Sequence, residues 1–210
     1  MTSATSALPT RKRILDAALA MFAERGYEGT SIAELERAAG LSPGSGALYR
    51  HFSSKRELLD EALAERMGAI EDMRSRLDIG PLGDLRSELT LLGRWGLAEL
   101  ERERLLVAIV MREGNRLPEV VAGFRAAVVD PAHAIARESL RRWADARGAG
   151  FADSEAVAVA LTSSMVGFAL QGQMLGRDFV SVNDESFVAA WVELAMALIE
   201  NAETADKEER

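Results

Sequence analysis

The chain has 210 residues, a formal net charge of −8, 48% apolar and 28% charged residues, and no cysteine. This composition suits a soluble globular fold with ample core material. The lack of cysteine excludes disulfides, zinc–thiolate centres and a thiol nucleophile. Only two histidines, His51 and His133, are present. No His-Glu-x-x-His, P-loop or dinucleotide fingerprint accompanies them, so the expectation is a non-enzyme with no metal and no cofactor. Met1 to Thr10 is small and polar, with no apolar stretch of the secretory type. The longest nearly apolar run, Val157 to Leu170, is interrupted by Thr162, Ser163 and Ser164 and is read as a core helix, not a membrane span. A cytoplasmic location fits these features.

The charge is unevenly spread. Residues 1–56 carry +3 and the remainder −11. A basic head on an acidic body can face phosphates with one end while the rest stays soluble.

Helical periodicity runs through nearly the whole chain, which predicts an all-α fold of about nine helices with no strand. Residues 1–9 read as a disordered arm. Ile14, Leu15, Ala18, Leu19 and Phe22 share one face of a first helix, with Thr10 as its cap and Gly26 beyond its end. Ser31 and Glu34 form a capping box for a short second helix that buries Ile32, Leu35 and Ala39 and stops at Gly40. Leu41 to Gly46 is turn-rich. A third short helix is expected over Ala47 to Phe52, with Ser45 as its N-cap. Ser54 and Glu57 make a second capping box, opening a long helix that buries Leu58, Leu59, Ala62, Leu63, Met67, Ile70 and Leu77 and ends at Gly80-Pro81. Residues 84–147 read as two or three helices, with breaks near Gly114–Pro118 and at Asp130-Pro131. Gly148 to Gly150 is a linker. Asp153 to about Leu175 is a helix rich in small residues. Asn183 to about Ala202 is the last, with Phe187, Val188, Trp191, Val192, Ala195, Leu198 and Ile199 as its stripe. The charged tail, 203–210, reads as disordered.

Two short helices joined by a turn within about 25 residues form a DNA-reading unit, in which the first helix braces and the second enters the major groove. The details sharpen this. Phe22-x-x-x-Gly26-Tyr27-x-x-Thr30-Ser31, Ala39-Gly40-Leu41-Ser42, Leu48-Tyr49-Arg50-His51-Phe52 and Ser54-Lys55-x-x-Leu58 follow in an order that resembles the N-terminal domain of the TetR family over roughly residues 10–60. The chain departs from the family in two places. Members usually run from Gly-x-Ser-x-Gly almost directly into Leu-Tyr, whereas Ser42 to Tyr49 here has about two extra residues. Glu36 stands where the family often has Ala and is expected to face solvent.

The resemblance implies a helix-turn-helix domain over residues 10–56 and a helical effector-binding and dimerisation domain over 57–202. It implies a homodimer reading palindromic double-stranded operator DNA, with no membrane partner. In the head, Thr30 and Ser31 at a helix N-terminus can hold phosphate. Tyr49, His51 and Lys55 can donate to phosphate oxygens, and Arg50 can reach a guanine edge. Ser42, Ser45 and Ala47 are small enough to let the segment sit deep in the groove. In the body, the effector-pocket candidates are Trp95, Met111, Phe124, His133, Met165, Phe168, Gln171 and Met174, a set suited to a hydrophobic or aromatic compound. The dimer-interface candidates are Ala156, Ala160, Ser164 and Gly167 on one helix, and Phe187, Trp191 and Leu198 on the next. The expected function is transcriptional regulation, as a repressor released by a small effector. The alternative is an architectural or protein-partnered DNA-binding protein of the same fold, without an effector.

Overall fold

The structure is a computed structural model that describes residues 9–76, 83–146, 150–151, 153–176 and 181–208. The expected arm before Pro9, the Gly80-Pro81 break and most of the 148–150 linker lie outside the described residues. Nine α-helices and no strand occur among the described residues: α1 Thr10–Arg25, α2 Ile32–Ala38, α3 Lys55–Arg76, α4 Leu85–Arg102, α5 Arg104–Glu113, α6 Pro118–Phe124, α7 Asp130–Asp145, α8 Ser154–Leu175 and α9 Asp184–Glu208.

They form two compact units. Of the described residues, the first comprises 9–76 together with Arg104–Val128. In it α1 packs against α2, α3 and α5, and α5 against α6. Ile14, Ala18 and Phe22 of α1 meet Leu35, Leu48, Phe52, Leu58, Leu59, Leu106 and Ile109 in one continuous core. The sequence division at residue 56 is therefore not the structural one, since α3, α5 and α6 share the core of the head. The second unit comprises the described residues from 83 to 103 and from 129 to 208. There α4 packs against α8 and α9, and α7 against the same two helices. Its core includes Leu89, Leu140, Trp143, Leu161, Val188, Trp191 and Ile199.

Local chemistry accounts for most boundaries. The Ser31–Glu34 capping box is present in full. Asp84 accepts from the Ser87 N–H at 3.0 Å. Asp153 accepts from Ala156 N–H at 2.9 Å, and Asn183 from Ser186 N–H at 2.8 Å. Each satisfies an orphan donor of a first turn. Ser54 accepts from Glu57 N–H at 3.0 Å, but Glu57 reaches back to Ser53 rather than Ser54. Thr10 does not cap α1: the cap position is Pro9, which has no side-chain bond to offer.

Two boundaries differ from expectation. No break occurs at Pro131. A wider, π-type turn over Arg125–Val129 leads directly into α7 and accommodates a proline that has no N–H for the carbonyl four residues earlier. The last helix runs on to Glu208 instead of ending at Ala202, because 203–208 holds no glycine or proline to stop it and includes the helix formers Glu203, Ala205, Lys207 and Glu208. Finally, α8 is 22 residues long and, by length and composition alone, apolar enough to cross a bilayer. Ala158, Leu161 and Met165 are instead built into the second core.

Candidate nucleic-acid interface

The helix-turn-helix corner is held from beneath. Gly26 ends α1 with φ +80°, a conformation that favours glycine. The space is also closed, since a Cβ there would stand 2.8 Å from Glu113 Oε1. That carboxylate, buried on α5, accepts the Tyr27 N–H at 2.8 Å. Thr30 is 1% exposed. Its hydroxyl bonds the carbonyls of Gly26 at 2.8 Å and Met21 at 3.3 Å. It therefore closes the C-terminal end of α1 and is not available to a phosphate, which corrects its assignment as a DNA contact.

Ser31 is exposed, but its hydroxyl donates to Glu34 Oε2 at 2.6 Å. The other Glu34 oxygen takes Arg25 at 2.7 Å. The Ser31 side-chain and backbone bonds hold the Glu34 carboxyl below the ordinary glutamate value. A phosphate at this helix N-terminus would have to displace an anion already there.

The turn that follows is unusual. Gly40, Gly44 and Gly46 have φ of 71°, 74° and 69°. The expected helix over 47–52 is reduced to a single 3-10 turn, Leu48–Arg50, entered from Ala47. Ser45 does not cap a helix; its hydroxyl accepts the Ala47 N–H at 3.3 Å within the turn. Beneath the turn lies Glu36, 0% exposed. Its carboxylate accepts the Gly44 N–H at 2.6 Å and the Leu48 N–H at 3.2 Å. Burial would raise this carboxyl, but the N–H groups of Leu48, Gly44, Ala47 and Ser45 outweigh burial and hold it below the ordinary value. Glu36 does not face solvent. No apolar pattern marks it, and the signal that could have found it is a cluster of N–H groups that only the folded turn creates.

Outward from this clasp, Ser42, Ser45, Arg50 and His51 are exposed, Tyr49 is 53% exposed and Ala47 is half-buried. Leu48 and Phe52 face the core. The Lys55 ammonium lies 4.4 Å from the centroid of the Tyr27 ring, an orientation that leaves its N–H donors usable. Several other head cations are matched by acids of the same unit: Arg11 by Glu61, Lys12 by Asp16 and Glu65, and Arg56 by Asp60 and Glu119. Arg37, Arg50 and Lys55 have no ion pair among the described residues.

The body candidates do not converge. Met111 is 61% exposed on α5, and Phe124 packs into the first core. Met165 is 8% exposed, its sulfur 3.0 Å from where a Cβ on Gly96 would stand. Gln171 and Met174 are exposed, and Trp95 and His133 are half-buried. Of the set, only Phe168 lines the second unit's cleft of about 690 Å³, with Leu97, Glu101, Gly172, Val182 and Asp184 among its neighbours. The apolar periodicity could not separate cleft from core because both use the same residue types.

The interface candidates divide as well. Ala156 and Ala160 are exposed, Ser164 and Gly167 are half-buried, and the space above Gly167 is open. Leu198 is half-buried. Phe187 instead stacks on Phe168 with centroids 4.1 Å apart. Trp191 belongs to the core, its indole N–H donating to the Leu161 carbonyl at 3.1 Å. The large apolar side chains left outward among the described residues of α8 and α9 are Val159, Val166, Met174, Leu175 and Leu194.

Fold and site together define an all-helical protein with a helix-turn-helix corner whose cations face outward. Residues 14–62 match the family described as "Bacterial regulatory proteins, tetR family". It is 36% identical over 108 residues to the HTH-type transcriptional regulator AcrR of Shigella flexneri, a match covering 50% of this chain and 49% of that protein. The chain spans about half the length of the curated relatives it matches. Among solved structures, a Pseudomonas aeruginosa PAO1 protein is similar at TM-score 0.73 and 22% identity, over 96% of this chain and 97% of that one. The flavonoid-responsive regulator FrrA is similar at TM-score 0.64 and 21% identity, over 92% and 96%. At such identities the likeness is one of fold.

Proposed function

We propose that this chain is a sequence-specific DNA-binding transcriptional regulator, acting as a homodimer on a palindromic operator and released from it by a small effector. The observation that carries the reading is the exposed strip of Ser42, Ser45, Tyr49, Arg50 and His51 on the helix-turn-helix corner. Phosphate contacts from Tyr49, His51 and Lys55 position the head, and Arg50 with the serines reads base edges. Dimerisation is supported by the large apolar side chains left in solvent on the last two helices, Val159, Val166, Met174, Leu175 and Leu194.

Effector response is supported by the cleft beside the stacked Phe168–Phe187 pair. Its apolar wall suits an aromatic or hydrophobic compound, and Glu101 and Asp184 on the lining disfavour an anionic one. A flavonoid-responsive regulator among the fold neighbours is consistent with a ligand of that size. Binding to the cleft releases the operator only to the extent that the effector prefers the DNA-free state.

The test is selection of duplex DNA from a random pool, followed by sequencing of the bound fraction. A palindromic site is the expected result. Tyr49→Ala and Lys55→Ala should then weaken selected and random DNA alike, by up to about tenfold each, with a shallower salt dependence. A pool with no enriched site would overturn the reading.

A further inference from the structure

Glu36 is a fully buried carboxylate whose charge is met by backbone N–H groups and, among the described residues, by no ion pair. Besides this carboxylate the segment is held by short turn bonds, Ser45 N–H to the Ser42 carbonyl at 3.2 Å and Tyr49 N–H to the Gly46 carbonyl at 3.1 Å, and by the buried Leu48 and Phe52. Gly44 and Gly46 both lie in the left-handed region, and a Cβ on either would meet nothing within 4 Å. Such a glycine-rich turn has many conformations of similar energy unless something selects one. The turn also carries the exposed side chains of Ser42 and Ser45 and leads into the single 3-10 turn bearing Tyr49 and Arg50. A recognition helix of ordinary length would orient those side chains by its own hydrogen-bond ladder. Here that ladder is one turn long, and the carboxylate beneath it takes its place.

We propose that Glu36 is a positioning residue for DNA reading: its carboxylate clasps the N–H groups of Gly44 and Leu48 and so sets the presentation of Ser42, Ser45 and Tyr49–His51 to the groove. The inference rests on the DNA-binding function proposed above. It also assigns the Gly44 and Leu48 N–H groups to the protein, leaving phosphate contacts to side chains. Losing the clasp should therefore reduce discrimination between sites more than general attraction to DNA, because Arg37, Arg50 and Lys55 keep their charge.

The experiment compares full-length wild-type, Glu36→Ala and Glu36→Gln chains. It measures affinity for the selected duplex and for a random duplex of equal length, amide exchange at Gly44 and Leu48, and the thermal midpoint. Glu36→Ala should lose about tenfold or more on the selected site and less than about threefold on the random one, with faster exchange at both amides. Glu36→Gln keeps one acceptor oxygen and should fall between; it also serves as the test if Glu36→Ala does not fold. Equal losses on both duplexes, or unchanged discrimination, would overturn the proposal while leaving DNA binding intact. A wild-type chain that selects no DNA would overturn both, yet protected amides at Gly44 and Leu48 would still establish the clasp.

Discussion

Thr30 illustrates how a side chain at a helix N-terminus can serve the fold instead of a ligand. Its hydroxyl bonds the carbonyls of Met21, in the last turns of α1, and of Gly26, just beyond it. Thr30→Val keeps the shape and removes the donor, so it should cost about 1–3 kcal/mol in urea denaturation. Thr30→Ser should recover much of that loss, and an unchanged midpoint for the valine variant would return Thr30 to the list of DNA contacts. Acid sensitivity belongs at the same scale. Glu34, Glu36 and Glu57 are all held below their ordinary value of 4.5 in the fold. A depressed folded value means a contribution present above the unfolded value and lost as pH falls through the folded one. Denaturant midpoints should therefore hold steady down to about pH 5 and decline below it. Glu34→Gln or Glu57→Gln should flatten that decline, and an equally steep decline in both variants would exclude these carboxylates as its source.

The helices themselves were largely legible. Capping residues at Ser31, Ser54, Asp153 and Asn183 stand one residue before or at the observed starts, because a cap is a local interaction that needs no distant partner. The break between α4 and α5 was not legible. It falls at Glu103, with no glycine or proline at the junction, and the chain crosses there from one unit to the other. Gly93 and Gly96 were passed over for a related reason. A Cβ on Gly93 would stand 3.0 Å from Val188 Cγ1, so the close approach of α4 to α9 depends on a glycine whose neighbour is 95 residues away in sequence. The corner after α1 offers a direct test. Gly26→Ala meets both a positive φ and the Glu113 carboxylate, and should destabilise the chain by more than about 1 kcal/mol. A midpoint equal to wild type would show that the Glu113 contact does not confine this corner.

At the scale of the whole molecule, the two long terminal helices divide their apolar residues between an internal core and the outside. Trp191 faces inward, so Trp191→Ala should cost about 3–5 kcal/mol without bearing directly on assembly. Leu194, 52% exposed, faces outward. Leu194→Glu should leave helicity and the thermal midpoint near wild type while shifting the chain to monomer in sedimentation at low micromolar concentration, and operator affinity should fall with it. A Leu194→Glu chain that sediments with wild type would remove these helices as the interface.

Sequence alone determined the helical class, the helix-turn-helix order over roughly residues 10–60 and the caps at Ser31 and Ser54, since each rests on spacing within one or two turns of chain. The tertiary structure decided which residues those patterns serve. It turned Thr30 and Trp191 inward, placed Glu36 beneath the reading turn, joined α5 and α6 to the head and separated cleft from core. Burial and hydrogen-bond partnership are properties of groups brought together from distant positions, and no local period encodes them.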